Sequence, residues 1–498
     1  MAGGGGDAKS VLQPGSNCLD IAHAGRVSVI VDAADYFHHV RQAMLNAEHR
    51  ILLIGWDFDT RIPLERTRPG WEHGETLGSF LLALSRRKPR LAIDILKWDV
   101  GAVKMLFRGA ALVTLIRWAM RRQITFKLDS AHPPGCSHHQ KIVIIDGALA
   151  VCGGIDMTGD RWDTPEHRDE EPRRRRPNGK HYGPWHDVTM MMDGEAAEAV
   201  SKLGHDRWAL ATGRDLKPIS DRADPWPDGL EPTFTDVDVA LSRTRALYED
   251  CPEIREIEAL YLDLIASAKR FIYAENQYFT SRKIGEAIAK RMAEPDPPEI
   301  VLIGPLQADG WLEQVAMDAA RVRLAQAIGK SDAGRRFRIY TPATAGGQPI
   351  YVHAKLMIVD DRVLRIGSSN MNNRSLGLDS ECDATIESDD AETRATIAAL
   401  RLRLLAEHLD VPVEALAGEI EAKGSMIAAI EALRGDGKTL NPLDLSAPGE
   451  VETFIADNEL LDPEHADGFF EPLSQRGLFR RWRARFRQAS GRKSGTDR

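Results

Sequence analysis

One short motif occurs twice in the chain, and its repetition constrains the fold more than any other feature of the sequence. The pattern His-x-Lys-x4-Asp covers residues 139–146 and returns at residues 353–360. In both copies six residues separate the motif aspartate from a pair of small residues, Gly-Gly in the first copy and Gly-Ser in the second. A motif that returns with its flanking spacing intact indicates an internal duplication of the chain.

The segments that precede the two motifs also match in pattern. In each half, a stretch with the apolar spacing of a helix leads into a short apolar run of strand length, at residues 32–58 and at residues 253–279. Helices that alternate with buried strands are typical of α/β folds. We therefore expect two tandem homologous α/β domains and a mostly helical C-terminal extension. The expected boundaries are a flexible tail at 1–26, domains at 27–213 and 236–410, a linker at 214–235, and the helical extension with its basic tail at 411–498.

Composition argues against several other classes of protein. The 498 residues carry a formal net charge of −9, which counts against binding nucleic acid through a basic surface. Five cysteines without a Cys-x-x-Cys pair predict a reduced chain with neither a disulfide framework nor a cysteine-held metal. We expect no signal peptide, because the amino terminus lacks a basic start and an apolar run. We also expect no membrane-spanning helix, because no apolar run is long enough to cross a bilayer. The predicted location is the cytoplasm or a membrane periphery, and export without a signal peptide stays open.

The histidine and lysine of each motif are candidates for phosphate binding. Side chains alternate across a strand, so His139 and Lys141 would share one face, and so would His353 and Lys355. Two cations on one face repel each other unless an anion lies between them, and a phosphate group is the natural anion. The two copies would place two histidines and two lysines around one phosphate.

The motif aspartates and the small residues beyond them predict a hairpin. Asp146 and Asp360 fall at odd separation from their histidines, in the turn sequences IIDGAL and IVDDRV. We therefore expect both aspartates to brace a turn. The return strand of each hairpin ends in small residues that allow a close approach of the backbone to a ligand. The residues of these strand ends that we expect near the phosphate are Gly154, Asp156, Ser368 and Asn370.

A histidine that acts as nucleophile or acid needs a carboxylate on its other ring nitrogen. Asp187 precedes an apolar strand in the first half, and Glu381 begins a similar strand in the second. We predict that Asp187 is the partner of His139 and that Glu381 is the partner of His353. Asp383 is the second choice for His353.

Longer phrases around these residues resemble one family. HHQKIVIIDGALAVCGGID, GDRWDT, PWHDV, ENQYF and VHAKLMIVDD with IGSSNMNNRS are similar to the phospholipase D superfamily, in particular to its eukaryote-type and related bacterial phospholipases D. The resemblance covers residues 27–410. It implies two α/β domains packed about a pseudo-twofold axis, one active site at which both motifs meet, and no metal or other cofactor.

The resemblance also implies a role for each motif residue. His139 would attack phosphorus to form a phosphohistidine, and His353 would protonate the departing headgroup and then activate water or an alcohol. Lys141, Lys355 and Asn370 would hold the non-bridging oxygens, whereas Asp156 stands at the position equivalent to Asn370. The catalytic set implied in this way is His139, Lys141, Asp146, His353, Lys355, Asp360, Asp187 and Glu381.

The sequence thus predicts a phospholipase D that hydrolyses glycerophospholipids such as phosphatidylcholine to phosphatidic acid and a headgroup alcohol, with transphosphatidylation as a side reaction. One alternative is a cardiolipin-synthase-like phosphatidyltransferase. The other is a nucleic-acid phosphodiesterase, and the negative net charge of the chain disfavours this second alternative. We expect a monomer that meets its phospholipid at a membrane surface and binds no nucleic acid. Two basic segments leave their roles open: the tail at 475–493 is an amphipathic membrane-binding helix or a solvated tail, and the arginines at 173–176 form a headgroup-contacting loop or a plain surface insertion.

Overall fold

The computed structural model of the chain describes residues 10–66, 74–99, 109–219, 223–308, 311–446 and Asp462. The helices are α1 (Ala33–Asn46), α2 (Leu77–Arg87), α3 (Gly109–Ala119), α4 (Gly194–Thr212), α5 (Glu256–Ser267), α6 (Arg282–Met292), α7 (Trp311–Gly329), α8 (Asn373–Gly377), α9 (Ala391–Leu409), α10 (Val413–Lys423) and α11 (Met426–Leu433). The strands are β1 (Asp20–Val31), β2 (Arg50–Gly55), β3 (Ala92–Trp98), β4 (Ile124–Asp129), β5 (Ile142–Ile145), β6 (Leu149–Gly153), β7 (Trp185–His186), β8 (Val188–Asp193), β9 (Phe234–Arg245), β10 (Ile254–Arg255), β11 (Phe271–Asn276), β12 (Glu299–Ile303), β13 (Phe337–Ala343), β14 (Tyr351–Val352), β15 (Lys355–Val359), β16 (Val363–Gly367), β17 (Glu381–Glu387) and β18 (Thr439–Pro442).

The strands arrange the two halves of the chain symmetrically. Among the described residues, one sheet contains 16 strands in the order β18-β13-β12-β11-β15-β16-β17-β9-β1-β8-β6-β5-β2-β3-β4, with β10 paired to β9, and a second sheet pairs β7 with β14. The order from β9 outward to β13 repeats the order from β1 outward to β4. β1 and β9 meet antiparallel at the centre, with Ile21 opposite Ala240. A pseudo-twofold axis between these two strands therefore relates the halves, which confirms the predicted duplication.

The two motifs form matching hairpins. Strands β5 and β15 are the short apolar runs IVII and KLMIV, in which every residue is buried. Each pairs antiparallel with the strand that follows it, β6 or β16. Two consecutive residues with positive φ close each hairpin, Asp146 and Gly147 in the first and Asp360 and Asp361 in the second. Such a pair is typical of a type I′ turn, whose twist fits that of the flanking strands, and the predicted turns are confirmed.

A shared hydrophobic core joins the two halves. Its largest cluster packs Ile142 and Ile144 of β5 with Leu356 and Ile358 of β15, together with apolar residues of β6, β8, β16 and β17. Burial of one such side chain contributes about 1.5–3 kcal/mol, so this core fixes the motif strands relative to each other. Two further clusters lie within the first and the second half.

The structure departs from the expected boundaries at both ends of the chain. β1 begins at Asp20, inside the segment predicted as a flexible tail, because the small residues of DIAHAG conceal the apolar alternation of the strand. Upstream of it, the backbone amides of Val11 and Leu12 donate to the Glu387 carboxylate. In the predicted C-terminal extension, the described residues form α10, α11 and the edge strand β18, while the basic tail lies outside the described residues. The other boundaries stay predictions.

The arginine run at 173–176 is anchored to the body of the protein. Arg174 is buried, and its Nη1 donates to Asp163 Oδ2 at 3.0 Å. Arg176 Nε donates to Asp160 Oδ1 at 2.8 Å. The backbone oxygen of Arg173 accepts from Arg66 Nη1 at 2.6 Å. The run therefore has a structural role that neither of the two expectations included.

Candidate active site

The two motif histidines meet at one cavity. His139 lies just before β5, and His353 lies between β14 and β15. Both line a cavity of about 330 Å³. Other residues of its wall are Trp56, Asp156, Arg161, Trp185, Gln277 and Asn370. The structure thus brings the two copies of the motif together, although they are far apart in sequence.

Each histidine is paired with the carboxylate of the opposite half. His139 Nδ1 lies 3.0 Å from Glu381 Oε1, and His353 Nδ1 lies 2.7 Å from Asp187 Oδ2. The prediction that Asp187 serves His139 and Glu381 serves His353 is therefore wrong. The second choice, Asp383, is engaged elsewhere, because it forms a buried ion pair with Arg365. Since Nδ1 of each ring is held by a carboxylate, Nε2 is the nitrogen left to react with a ligand.

Strand pairing between the halves explains this exchange. β14, which leads into the second motif, pairs parallel with β7, so that Val352 lies opposite His186 and next to Asp187. On the other side of the axis, His138 forms a parallel bridge with Ser380, which precedes Glu381. Each motif therefore enters the cavity beside the carboxylate of the other half.

Small and hydroxylated residues hold the two carboxylates in place. Ser368 Oγ donates to Glu381 Oε2 at 2.5 Å, and Ser375 Oγ donates to Glu381 Oε1 at 2.6 Å. A side chain at Gly154 would place its Cβ 2.0 Å from Asp187 Oδ1. The expectation that Ser368 and Gly154 contact the phosphate is corrected here. The Ser368 hydroxyl proton is already donated to Glu381, and Gly154 provides the space that Asp187 occupies.

The two lysines lie close to the histidines and are themselves buried. Lys141 Nζ donates to the His139 backbone oxygen at 2.7 Å, and Lys355 Nζ donates to the His353 backbone oxygen at 2.5 Å. The second ammonium group also donates to Gln277 Oε1 at 2.9 Å. The strands begin at Ile142 and Lys355, so the motif histidines precede them and strand alternation does not by itself set their direction.

The residues at the position shared by Asp156 and Asn370 differ in what they contact. Asp156 Oδ2 lies 3.3 Å from Lys141 Nζ, and its Oδ1 accepts from the Trp56 amide at 3.1 Å. Asn370 lines the cavity and is 3% exposed. A carboxylate repels a phosphate, so Asp156 orients Lys141 instead of holding the ligand, whereas the amide of Asn370 can donate to it.

Burial and neighbouring cations favour the neutral form of both histidines. For His139, burial is the largest cause of a pKa well below the usual value, followed by Lys141 and Lys355. For His353, burial again comes first, followed by Lys355 and Arg161. An anionic ligand would offset these cations and bring the imidazole pKa values upward.

Burial also shifts the groups that surround the rings. It raises the pKa of Asp187 to about 6 and raises that of Glu381 well above its usual value. It also lowers the pKa of Lys355 to about 7. The negative charge of Asp187 raises this pKa, and the positive charge of Lys141 lowers it, but burial has the largest effect. Perturbed titratable groups that converge on one cavity are typical of a catalytic site.

The motif aspartates lie outside this cavity. Asp146 accepts from the backbone amides of Glu48, His49 and Arg50 at 2.7–2.8 Å. Asp360 makes the same three contacts at 2.7–2.9 Å with the amides that begin β11, those of Lys269, Arg270 and Phe271. Both carboxylates therefore tie the hairpin turn to the start of the neighbouring strand. This agrees with the prediction from their odd separation from the motif histidines.

The sequence did not single out two cavity residues. Trp56 follows β2 and stands edge-on to the His139 ring, with centroids 6.5 Å apart. Arg161 lies over the Trp185 ring at 4.2 Å and contributes to the low pKa of His353. Arg161 is the one basic residue of the sequence GDRWDT, and this isolated positive charge is the feature of the sequence that could have marked it.

Comparisons with known proteins address each half separately. A family model described as phospholipase D matches residues 43–225. A second, described as cardiolipin synthase, PLD-like domain, matches residues 261–399. The chain belongs to the phospholipase D superfamily. Membership is thus carried by both repeats, each with its own motif.

Relatives within the superfamily are longer proteins. Phospholipase D A from Dictyostelium discoideum is 27% identical over 462 residues, which cover 77% of this chain and 35% of that protein. Phospholipase D1 from Schizosaccharomyces pombe is 24% identical and covers 78% of this chain and 36% of its own. Phospholipase D alpha 1 from Ricinus communis is 24% identical, and the match covers 68% of this chain and 58% of that protein. The chain therefore spans less than two thirds of the length of these relatives.

A solved structure of the superfamily fold extends over most of the chain. Phosphatidylserine synthase from Haemophilus influenzae Rd KW20 aligns with a TM-score of 0.53 over 82% of this chain and 95% of that one, at 11% identity. This likeness shows the shared fold. Within the part of the chain that the structure describes, no helix combines the length and the apolar character needed to cross a membrane.

Proposed function

We propose that this protein is a phosphodiesterase of the phospholipase D type, which hydrolyses glycerophospholipids such as phosphatidylcholine to phosphatidic acid and a free headgroup alcohol. The observation that carries the proposal is the crossed pairing at the cavity, where two histidines face one space and each holds Nδ1 on a buried carboxylate. A phosphodiester needs a nucleophile on one side of phosphorus and a proton donor on the other. Two histidines in equivalent settings supply both.

In the first step, Nε2 of His139 attacks phosphorus. The low pKa of this ring keeps the nitrogen lone pair available, and Glu381 stabilises the positive charge that develops on the imidazole. Lys141, Lys355 and Asn370 stabilise the negative charge on the non-bridging oxygens in the transition state. The bond from phosphorus to the headgroup oxygen breaks as the phosphohistidine forms.

In the same step, Nε2 of His353 gives a proton to the departing headgroup alkoxide. The anionic substrate raises the pKa of this ring by offsetting Lys355 and Arg161, and Asp187 stabilises the imidazolium. In the second step, the neutral His353 accepts a proton from water, which attacks phosphorus and breaks the bond to His139. Phosphatidic acid leaves, and both rings return to their starting forms. A primary alcohol in place of water gives transphosphatidylation.

The decisive experiment supplies phosphatidylcholine vesicles with a primary alcohol. We expect phosphatidic acid and phosphatidylalcohol, both absent with His139→Ala, and a phosphoenzyme in the wild type that is trapped by a denaturing quench at alkaline pH, where the phosphorus–nitrogen bond survives. A matched control is His38→Ala, which removes a half-exposed histidine paired to Glu65 outside the cavity and should leave the products unchanged. Cleavage of single-stranded DNA with no product from any phospholipid of a headgroup panel would overturn the proposal.

A second candidate is a phosphatidyltransferase that joins two lipids. The match of residues 261–399 to the family model described as cardiolipin synthase, PLD-like domain, favours it. This reaction would use the same phosphohistidine, with the glycerol hydroxyl of phosphatidylglycerol as acceptor in place of water. Vesicles of phosphatidylglycerol separate the two candidates, because the transferase forms cardiolipin and free glycerol, whereas the hydrolase forms phosphatidic acid.

A further inference from the structure

A second group of titratable side chains is buried next to the active site, and the proposed reaction does not use it. Asp32, His167, His186 and Glu407 each direct one ligand atom toward a common space, and none of the four lines the catalytic cavity. They come from different parts of the fold: the start of α1, the loop after β6, strand β7 and helix α9. The cluster therefore joins residues of both halves.

The facing atoms of the cluster lack hydrogen bonds. Asp32 Oδ2, His167 Nε2, His186 Nδ1 and Glu407 Oε1 are all buried, and none has a hydrogen-bond partner in the part of the chain that the structure describes. Buried polar atoms are almost always satisfied, because an unpaired one destabilises the fold. Four such atoms that face one another are satisfied together either by protons on the two rings, which the carboxylates accept, or by one cation that all four atoms contact.

Three distances between the facing atoms match edges of a coordination tetrahedron. Glu407 Oε1 lies 3.2 Å from His186 Nδ1 and 3.3 Å from His167 Nε2. Asp32 Oδ2 lies 3.6 Å from His167 Nε2. Zinc bonds to imidazole nitrogen and carboxylate oxygen are about 2.0–2.2 Å, and a regular tetrahedron of that size has edges of about 3.3–3.6 Å.

The opposite nitrogens of both rings are held by further carboxylates. His167 Nδ1 lies 3.0 Å from Asp163 Oδ2, and His186 Nε2 lies 2.8 Å from Glu275 Oε2. Metal-binding histidines almost always donate their other N–H to a carboxylate or carbonyl group, which orients the ring and strengthens the nitrogen as a ligand. The two rings of the cluster share this arrangement.

Several carboxylates lie together in this region. Those of Asp32, Asp163, Glu275 and Glu407 are offset by Arg174, through Asp163, and by either two ring protons on His167 and His186 or a bound cation in their place. Burial of several carboxylates is costly unless positive charge offsets them. A cavity of about 670 Å³, lined in part by Glu407, lies beside the cluster.

We propose that the protein binds one divalent transition-metal ion, zinc by preference, through Asp32, His167, His186 and Glu407. Four protein ligands make a closed site, which is typical of a structural ion. The ion links the two halves behind Asp187, since Asp32 Oδ1 accepts from the Asp187 amide at 3.1 Å and the Asp32 amide donates to the Asp187 oxygen at 2.8 Å. It thereby fixes the segment that orients His353, and the proposal stands whether or not the proposed reaction is correct.

The metal content of the whole protein tests the proposal. The tag-free chain is expressed with added zinc, purified without chelator and analysed by inductively coupled plasma mass spectrometry. We expect about one zinc per chain, and at least a tenfold loss in His167→Asn and in Glu407→Gln. His38→Asn, at an exposed histidine that also pairs with a carboxylate, should keep the full content. Less than a tenth of an equivalent in the wild type, or full zinc in both variants, would overturn it.

A spectroscopic measurement on the wild type does not depend on how the variants fold. Protein produced with cobalt in place of zinc should show the intense visible bands of four-coordinate Co²⁺. The near-ultraviolet band of a thiolate-to-cobalt bond should be absent, because no cysteine belongs to the cluster, and this separates the site from binding at the five free cysteines. Weak bands of six-coordinate Co²⁺, or a thiolate band, would overturn the proposal. Zinc removal should also lower the melting temperature, and zinc addition should restore it.

Discussion

His353 Nδ1 lies 2.7 Å from Asp187 Oδ2, although 166 residues separate the two in sequence and they belong to opposite repeats. The equivalent contact between His139 and Glu381 crosses the axis in the other direction. Neither repeat alone therefore contains a histidine with its carboxylate. A duplicated fold of this kind gains a working site only when both copies are packed together.

The crossed pairing predicts which reaction step each carboxylate supports. Asp187→Asn should impair His353, so hydrolysis of phosphatidylcholine should slow by about 10²- to 10⁴-fold, the usual contribution of a positioned acid or base. A p-nitrophenyl phosphodiester needs no proton on its leaving group, so phosphoenzyme formation from it should be nearly normal. Glu381→Gln should slow that step, because it impairs His139. Rapid quench into alkaline detergent with radiolabelled substrate measures both rates.

A variant outside the cavity controls for general damage to the strand. Glu387→Gln lies on β17 with Glu381 but binds the amino-terminal segment and Arg362, so both rates should stay within about twofold of the wild type. The crossed assignment is refuted if Asp187→Asn blocks phosphoenzyme formation from the p-nitrophenyl ester while Glu381→Gln leaves it intact.

Local patterns predicted much of this molecule, and non-local pairing explains what they missed. The hairpin turns at Asp146 and Asp360 follow from a few neighbouring residues, so the sequence reveals them. The partner of His353 depends on the contact between β7 and β14, which no local pattern encodes. Because small residues allow close approach, the sequence predicts Ser368 as a phosphate contact, and only the folded chain shows that its hydroxyl donates to Glu381.

The low pKa of Lys355 predicts a pH dependence of substrate capture. Burial lowers this pKa to about 7 in the folded protein, so the ammonium charge is present below that pH and is lost as the pH rises through it. For a short-chain phosphatidylcholine, whose phosphodiester keeps one negative charge throughout, kcat/KM should decline above about pH 7. Lys355→Arg stays charged at these pH values, so its alkaline decline should shift upward or vanish, whatever its overall activity. An unchanged alkaline limb in this variant would assign the decline to another group.

The close contact between Gly154 and Asp187 predicts a loss of activity from one methyl group. In Gly154→Ala the new Cβ would stand 2.0 Å from Asp187 Oδ1, so the carboxylate must move away from His353. We expect kcat to fall by about 10²-fold or more. Gly159→Ala is the matched control, since nothing lies within 4 Å of its Cβ position, and it should keep the wild-type kcat. A Gly154→Ala enzyme with unchanged kcat would show that the Asp187 position is not critical.

The motif aspartates predict a loss of stability separate from any loss of chemistry. Asp146 is fully buried and accepts from three backbone amides, so Asp146→Ala should lower the free energy of unfolding by about 2–4 kcal/mol. Part of the loss arises because alanine tolerates the positive φ of 53° less well than aspartate does. Asp146→Asn keeps that tolerance and one carbonyl acceptor, and it should lose less. Asp360→Ala should also lose less, because Asp360 is only partly buried whereas Asp146 is fully buried.

Urea unfolding and steady-state kinetics on the same preparations separate the two effects. Since Asp146 lies outside the cavity and contacts neither motif histidine, the folded fraction of Asp146→Ala should turn over within a few-fold of the wild-type kcat. The opposite result, wild-type stability with kcat reduced by 10²-fold or more, would place this aspartate in the chemistry. It would also mean that the His-x-Lys-x4-Asp spacing records a catalytic requirement and not, as the three amide contacts indicate, the geometry of a hairpin that delivers a histidine and a lysine to one phosphate.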